Sequence, residues 1–193
     1  VLRCHSDPEI EERPIFLSEL LMRTEFEGTI LRQYVERTNG GPFNYNELKI
    51  IIDEHVDKIE PYDDNHVLIH VRTGDDYTNR GLGNPRNLNI YLKQINKIPK
   101  DKTIVLVTTM HYGHAEFDSL YAARTWLYSE KSRDKNIDLL HDFIKQIPHE
   151  VKIQSSVDTD IDFLHLILAK NMMALNTSGG FSRVISILHS LFH

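Results

Sequence analysis

The chain has 193 residues, 40% of them hydrophobic and 26% charged, which is the composition of an ordinary soluble globular protein able to build one sizeable core. Its formal net charge of −6 argues against a nucleic-acid partner, and its single cysteine, Cys4, excludes an internal disulfide and a multi-cysteine zinc site. No apolar run is long enough to span a membrane. The opening "VLRCHSDPEIEERP" is polar and acidic and does not read as a signal peptide. With the lone cysteine, this favours a soluble domain in a reducing, cytoplasmic setting.

Along the chain, residues 14–37 read as helical, because Phe16, Leu17, Leu20, Leu21, Phe26, Ile30, Leu31 and Tyr34 recur at three- and four-residue steps. Gly28 is expected to interrupt that helix. "TNGGPFN" is a loop, and residues 45–59 form a second helix with Leu48, Ile51, Ile52, Val56 and Ile59 on one stripe. A β-branched strand over 66–71 follows, then a polar loop over 72–89. After that come a helix to Ile98, a buried strand over 102–108 and a helical segment over 115–132 holding Tyr121, Trp126 and Tyr128. A helix over 136–147, a strand over 151–154, a helix over 160–171, a strand over 172–175 and a helix over 181–191 complete the order. Apolar strands alternating with amphipathic helices predict an α/β fold, a Rossmann-like parallel sheet with helices on both faces. The division expected is an N-terminal helical segment over 1–60 and a Rossmann-like domain over 61–193. Ligands of such sheets lie beyond the carboxyl ends of the strands.

Two stretches on that edge carry chemistry. In "VLIHVRTGDDY", Arg72 ends a strand with a planar fork of donors suited to phosphate, and His70 shares its face because strand side chains alternate. Gly74 permits a tight turn, while Asp75 and Asp76 are placed to brace Arg72, to bind a substrate hydroxyl or to act as a base. A solvated turn with an ordinary ion pair explains the same residues about as well. In "NTSGGFSR", Thr177, Ser178, Gly179 and Gly180 lead into a helix whose free N–H groups and dipole suit an anion. A plain N-cap is the simpler alternative there. His111 and His114 lack a third metal ligand, so no metal site is expected.

"HVRTGDDY" resembles the first motif, His-x-Arg-Arg-x-Asp, of the α-1,2- and α-1,6-fucosyltransferases and the protein O-fucosyltransferases. His70, Arg72, Asp75 and, with one extra Asp, Tyr77 match it. Downstream, a helix containing Tyr91 and then an apolar strand keep the family's order. "DIDFLHLILAKNMMALNTSGGFSRVI" is similar to the family's C-terminal motif through Asp162, Ala169, Thr177 and Ser178. The resemblance covers residues 66–191. It implies the nucleotide-binding half of a GT-B-type glycosyltransferase that inverts the anomeric centre without a bound metal or other cofactor. Its substrates would be a nucleotide-sugar donor, GDP-linked ahead of UDP- or dTDP-linked, and a glycan or glycoprotein acceptor. By the same resemblance Arg72 contacts the donor phosphates with His70 beside them, Ser178 holds a phosphate, and Asp162 recognises the base.

This sequence departs from the family in three ways. Thr73 stands where many members have a second Arg, a gap that Arg80, Arg86 or Arg183 would have to fill. Arg80 stands at the spacing of the α-1,6 enzymes' catalytic carboxylate, which leaves Asp75 or Asp76 as the candidate base. The chain is also short for two Rossmann-like halves. A nucleotide- or sugar-binding module of a larger transferase, without catalysis, is therefore the rival reading, and a phosphate-ester hydrolase is a third.

Overall fold

The computed structural model describes residues 27–38, 44–71, 85–108, 113–116, 125–128, 130–156, 158–173, 175 and 180–193. The fold is α/β. Its element order is α1 (Ile30–Thr38), α2 (Tyr45–Asp53), a 3-10 turn (Val56–Lys58), β1 (His66–His70), α3 (Pro85–Ile95), β2 (Thr103–Val107), β3 (Gly113–Glu116), β4 (Thr125–Tyr128), α4 (Glu130–Ile144), β5 (Val151–Gln154), α5 (Thr159–Leu168), β6 (Met172–Met173) and α6 (Gly180–Phe192). Four strands form a parallel sheet in the order β5-β2-β1-β6, and β3 and β4 form a separate antiparallel pair.

The sheet is Rossmann-like, as the alternation of strands and helices predicts. β1 pairs along its whole length with β2, from His66↔Thr103 to His70↔Val107, and, among the described residues, with β6 only at Leu68↔Met172 and Ile69↔Met173. Period-two alternation sends Val67, Ile69, Ile104 and Leu106 to one face, where they meet Tyr91 and Ile95 of α3 and Leu140 and Phe143 of α4. Leu68, Val105 and Val107 point the other way, to Leu166 of α5, Ala169 at its end and Ile185 of α6. Each fully buried Leu or Ile contributes about 1.5–3 kcal/mol of transfer free energy, so these two clusters fix the register.

The N-terminal helices pack behind α5 and α6. Ile30 and Tyr34 of α1 and Leu48, Ile51 and Ile52 of α2 share an apolar cluster with Leu164, Ile167 and Leu188. Gly28 turns with φ of 78°, a left-handed conformation that glycine adopts without a Cβ penalty, and α1 begins just beyond it. Asn44 caps α2, its side-chain oxygen accepting the N–H groups of Asn46 and Glu47.

Several boundaries differ from expectation. Of the segment over 115–132, read as helical, the described residues form the end of β3, β4 and the first turn of α4, so Trp126 and Tyr128 lie in a strand. "TWLY" is aromatic and β-prone, and a run that short has no decisive period. Tyr121 lies outside the described residues. α3 starts at Pro85 rather than at 89, because proline is well suited to a first helical position. α2 stops at Asp53 and gives way to the 3-10 turn, so Val56 and Ile59 continue its stripe only approximately. α5 stops at Leu168 because Ala169 is extended, with φ of −64° and ψ of 134°.

Candidate functional site

The chain lays down β1, β2 and β5 in one direction across the sheet, then returns with β6 to the other side of β1. Crossovers of one hand place their helices on opposite faces when the direction reverses. Accordingly α3 and α4 cover one face while α5 and α6 cover the other. The switch point lies between β1 and β6. In open α/β sheets ligands bind at such a point, beyond the carboxyl ends of the strands.

The described ends of the two motif stretches meet at that point. His70 is the last residue of β1, and its ring Nδ1 lies 3.4 Å from the Ser182 hydroxyl in the first turn of α6, 112 residues away. Ser182 is buried. Gly180 is the first residue of α6, and Arg183 is exposed in its first turn. Thr108, just past β2, is fully buried and donates its N–H to Gln154 O at 3.1 Å. Arg72, Asp75, Asp76, Thr177, Ser178 and Gly179 lie outside the described residues, as do Arg80 and Tyr77.

A second rim forms where β5 runs into α5, whose start carries three acids at alternate positions. Asp158 caps the helix by accepting the N–H of Asp160 at 2.9 Å. Asp160 turns outward, and its carboxylate accepts the Ile30 N–H at 2.8 Å, placing negative charge on the first turn of α1. Asp162 turns inward. Its Oδ1 accepts from the Gln154 side-chain amide and its Oδ2 from the Ser156 N–H, both at 2.9 Å. Gln154 in turn accepts the Tyr62 hydroxyl at 3.1 Å.

Electrostatics at this rim follow burial. Desolvation pushes the Asp160 and Asp162 carboxyls above the usual carboxylate range, against the pull of the N–H groups they accept. Burial, with the Asp162 charge nearby, pushes the Tyr62 hydroxyl up. Burial holds His165 below the ordinary imidazole value, with Asp162 acting in the opposite direction. The His165 ring stands 5.1 Å from the ring of Tyr62, and its Nδ1 has no hydrogen-bond partner. Asp162 therefore belongs to a closed polar unit: only 6% of its surface is exposed, and both oxygens are engaged from within.

Sequence reasoning selected His70 and Asp162 and missed their partners Ser182, Gln154 and Tyr62. Ser182 had a local signal, standing in the "NTSGGFSR" turn. Tyr62 and Gln154 had none, because their link spans 92 residues. No family model, curated protein or solved structure matches the chain. Among the described residues, no helix is long and apolar enough to cross a membrane.

Proposed function

We propose that the chain is a glycosyltransferase of the fucosyltransferase type, either the nucleotide-binding half of a GT-B enzyme or a compact version of one. It transfers fucose or a related deoxysugar from a nucleotide donor, GDP-linked ahead of UDP- or dTDP-linked, to a glycan or protein hydroxyl. The observation that carries this reading is the 3.4 Å approach of His70 to Ser182 at the switch point, which joins the start of the His-x-Arg stretch to the start of the anion-ready helix. The donor diphosphate lies at that point, and Arg72, Thr177, Ser178, Gly179 and the α6 N-terminus are the groups assigned to its charge. The base extends toward the β5–α5 rim. Asp75 or Asp76 takes the proton of the acceptor hydroxyl, whose oxygen attacks the anomeric carbon as the bond to the diphosphate breaks. The departing charge is stabilised by the Arg72 guanidinium and the helix dipole.

Replacing Arg72 with Ala is expected to lower donor turnover by at least about 100-fold, in the range for loss of one charge-stabilising group, with an unchanged melting temperature. Full activity in that variant overturns the assignment. A thermal-shift screen of GDP-, UDP- and dTDP-sugars reads the donor class, since a ligand that binds only the folded state raises its stability.

Arg80, standing where the α-1,6 enzymes carry their catalytic carboxylate, favours a second reading: a nucleotide- or sugar-binding module of a larger transferase, without catalysis. Calorimetric binding of a nucleotide with no donor hydrolysis or transfer to any of several acceptors selects that reading over the first.

A further inference from the structure

Asp162 sits where a base-reading carboxylate is expected, yet its oxygens face inward. A guanine edge presents two neighbouring N–H donors, and reading it directly takes both oxygens of one carboxylate side by side. Here Oδ1 is held by the Gln154 amide and Oδ2 by the Ser156 N–H, each at 2.9 Å. The unit extends in both directions. Tyr62 donates to Gln154 at 3.1 Å, and its ring stands 5.1 Å from those of both His66 and His165. At the other end the Ser156 hydroxyl accepts the Asp158 N–H at 3.1 Å. The neighbouring Ser155 is left exposed at the rim. β5 lies two strands from β1, roughly 10 Å across the sheet, which is within the reach of a nucleoside whose diphosphate sits at the switch point.

We infer that Asp162 is a positioning residue: through Ser156 and Gln154 it sets the conformation of the base-side rim, and Tyr62 is part of the same unit. The ligand this rim meets is the nucleoside portion of the donor, so the inference rests on the nucleotide reading above. Asp162 shapes the backbone around Ser155 and Ser156 and does not itself touch the base.

Calorimetry on the full chain tests this, with GDP and inorganic diphosphate as probes. Tyr62→Phe keeps the ring packed between the two imidazoles and removes only the hydroxyl, so it is expected to fold. It should weaken GDP by about 3- to 10-fold, the effect of one hydrogen bond, and leave inorganic diphosphate unchanged. Asp162→Asn should weaken GDP more, and adding Tyr62→Phe to it should cost little further, because residues of one network are not additive. Asp162→Asn losing GDP while Tyr62→Phe binds it like the wild type would instead mean direct contact with the base, overturning the proposal. Equal weakening of GDP and inorganic diphosphate by Tyr62→Phe would also overturn it, since the effect would then be general to the fold. If the wild type binds UDP in place of GDP, the same comparison is made with UDP. A wild type that binds neither nucleotide nor diphosphate removes the nucleotide reading, and this proposal falls with it.

Discussion

The two faces of the sheet are built from the same strands and do opposite things. The face under α3 and α4 is a dry cluster of Val67, Ile69, Ile104 and Leu106 against Tyr91, Ile95, Leu140 and Phe143. The face under α5 and α6 has a second layer of helices behind it and carries most of the buried polarity. Among the described residues, Asp160, Asp162 and Ser182 are buried there, with His55 in the layer behind. A buried polar group is costly unless paired, and each of these carboxylates has partners drawn from a different element. One face supplies stability, and the other holds geometry at the strand ends.

The largest expected effect tests the dry face. Phe143→Ala should lower stability by about 3–5 kcal/mol in denaturant titration, the usual result of emptying a full aromatic site. Nucleotide affinity of the remaining folded protein should not change, and a parallel loss of affinity would break the division between the faces. Next comes Asp160→Ala, which strands the Ile30 N–H and removes charge from the start of α1. It should cost about 1–3 kcal/mol on the same scale.

Smaller but more discriminating is the pH dependence. Asp160 and Asp162 have raised carboxyls, so the folded state holds their protons more tightly than the unfolded chain does. Their contribution is fully present below about pH 4 and is lost as pH rises through the raised values, the reverse of a salt-bridged aspartate. His165 and His189 are depressed by burial, so theirs is present above about pH 6.5 and lost as pH falls. Unfolding midpoints from pH 4 to 8 should therefore change shape in Asp160→Asn and His165→Leu. Phe143→Ala should shift the whole curve by a constant amount. The smallest effect belongs to the exposed Lys145–Asp142 pair at the end of α4, where Lys145→Ala should leave the midpoint where it was, because solvent screens the pair.

Legibility in the sequence followed the range of the interaction that fixed each feature. β1, β2 and β5 were readable to within about a residue because short β-branched runs between polar turns have few alternatives. That the chemistry lies along the carboxyl edge of a parallel sheet was expected from the order of elements, but the strand order that puts the switch point between β1 and β6 is set by pairings across the chain and was not readable. The β3–β4 pair was not readable, because "TWLY" is short and eight residues separate it from its partner strand, at the register Gly113↔Tyr128 to Glu116↔Thr125. Asp162 could be located in sequence but not oriented. Whether a carboxylate at the start of α5 faces ligand or protein depends on Gln154 and Ser156, and their positions are set by the sheet.

β6 is the weakest seam in this architecture. Among the described residues it joins the sheet through two residue pairs, and Asn171 assists just ahead of it by accepting the Leu68 N–H at 2.9 Å and donating its side-chain amide to Asp64 O. A strand so short can detach without disturbing the β1–β2 ladder, so its amides, and that of Leu68 which bonds to Asn171 O, should exchange with deuterium well before those of Val71 and Ile104, which bond to Val107 O and Glu150 O. The β1–β6 seam at the switch point would then be the part of the sheet that yields first.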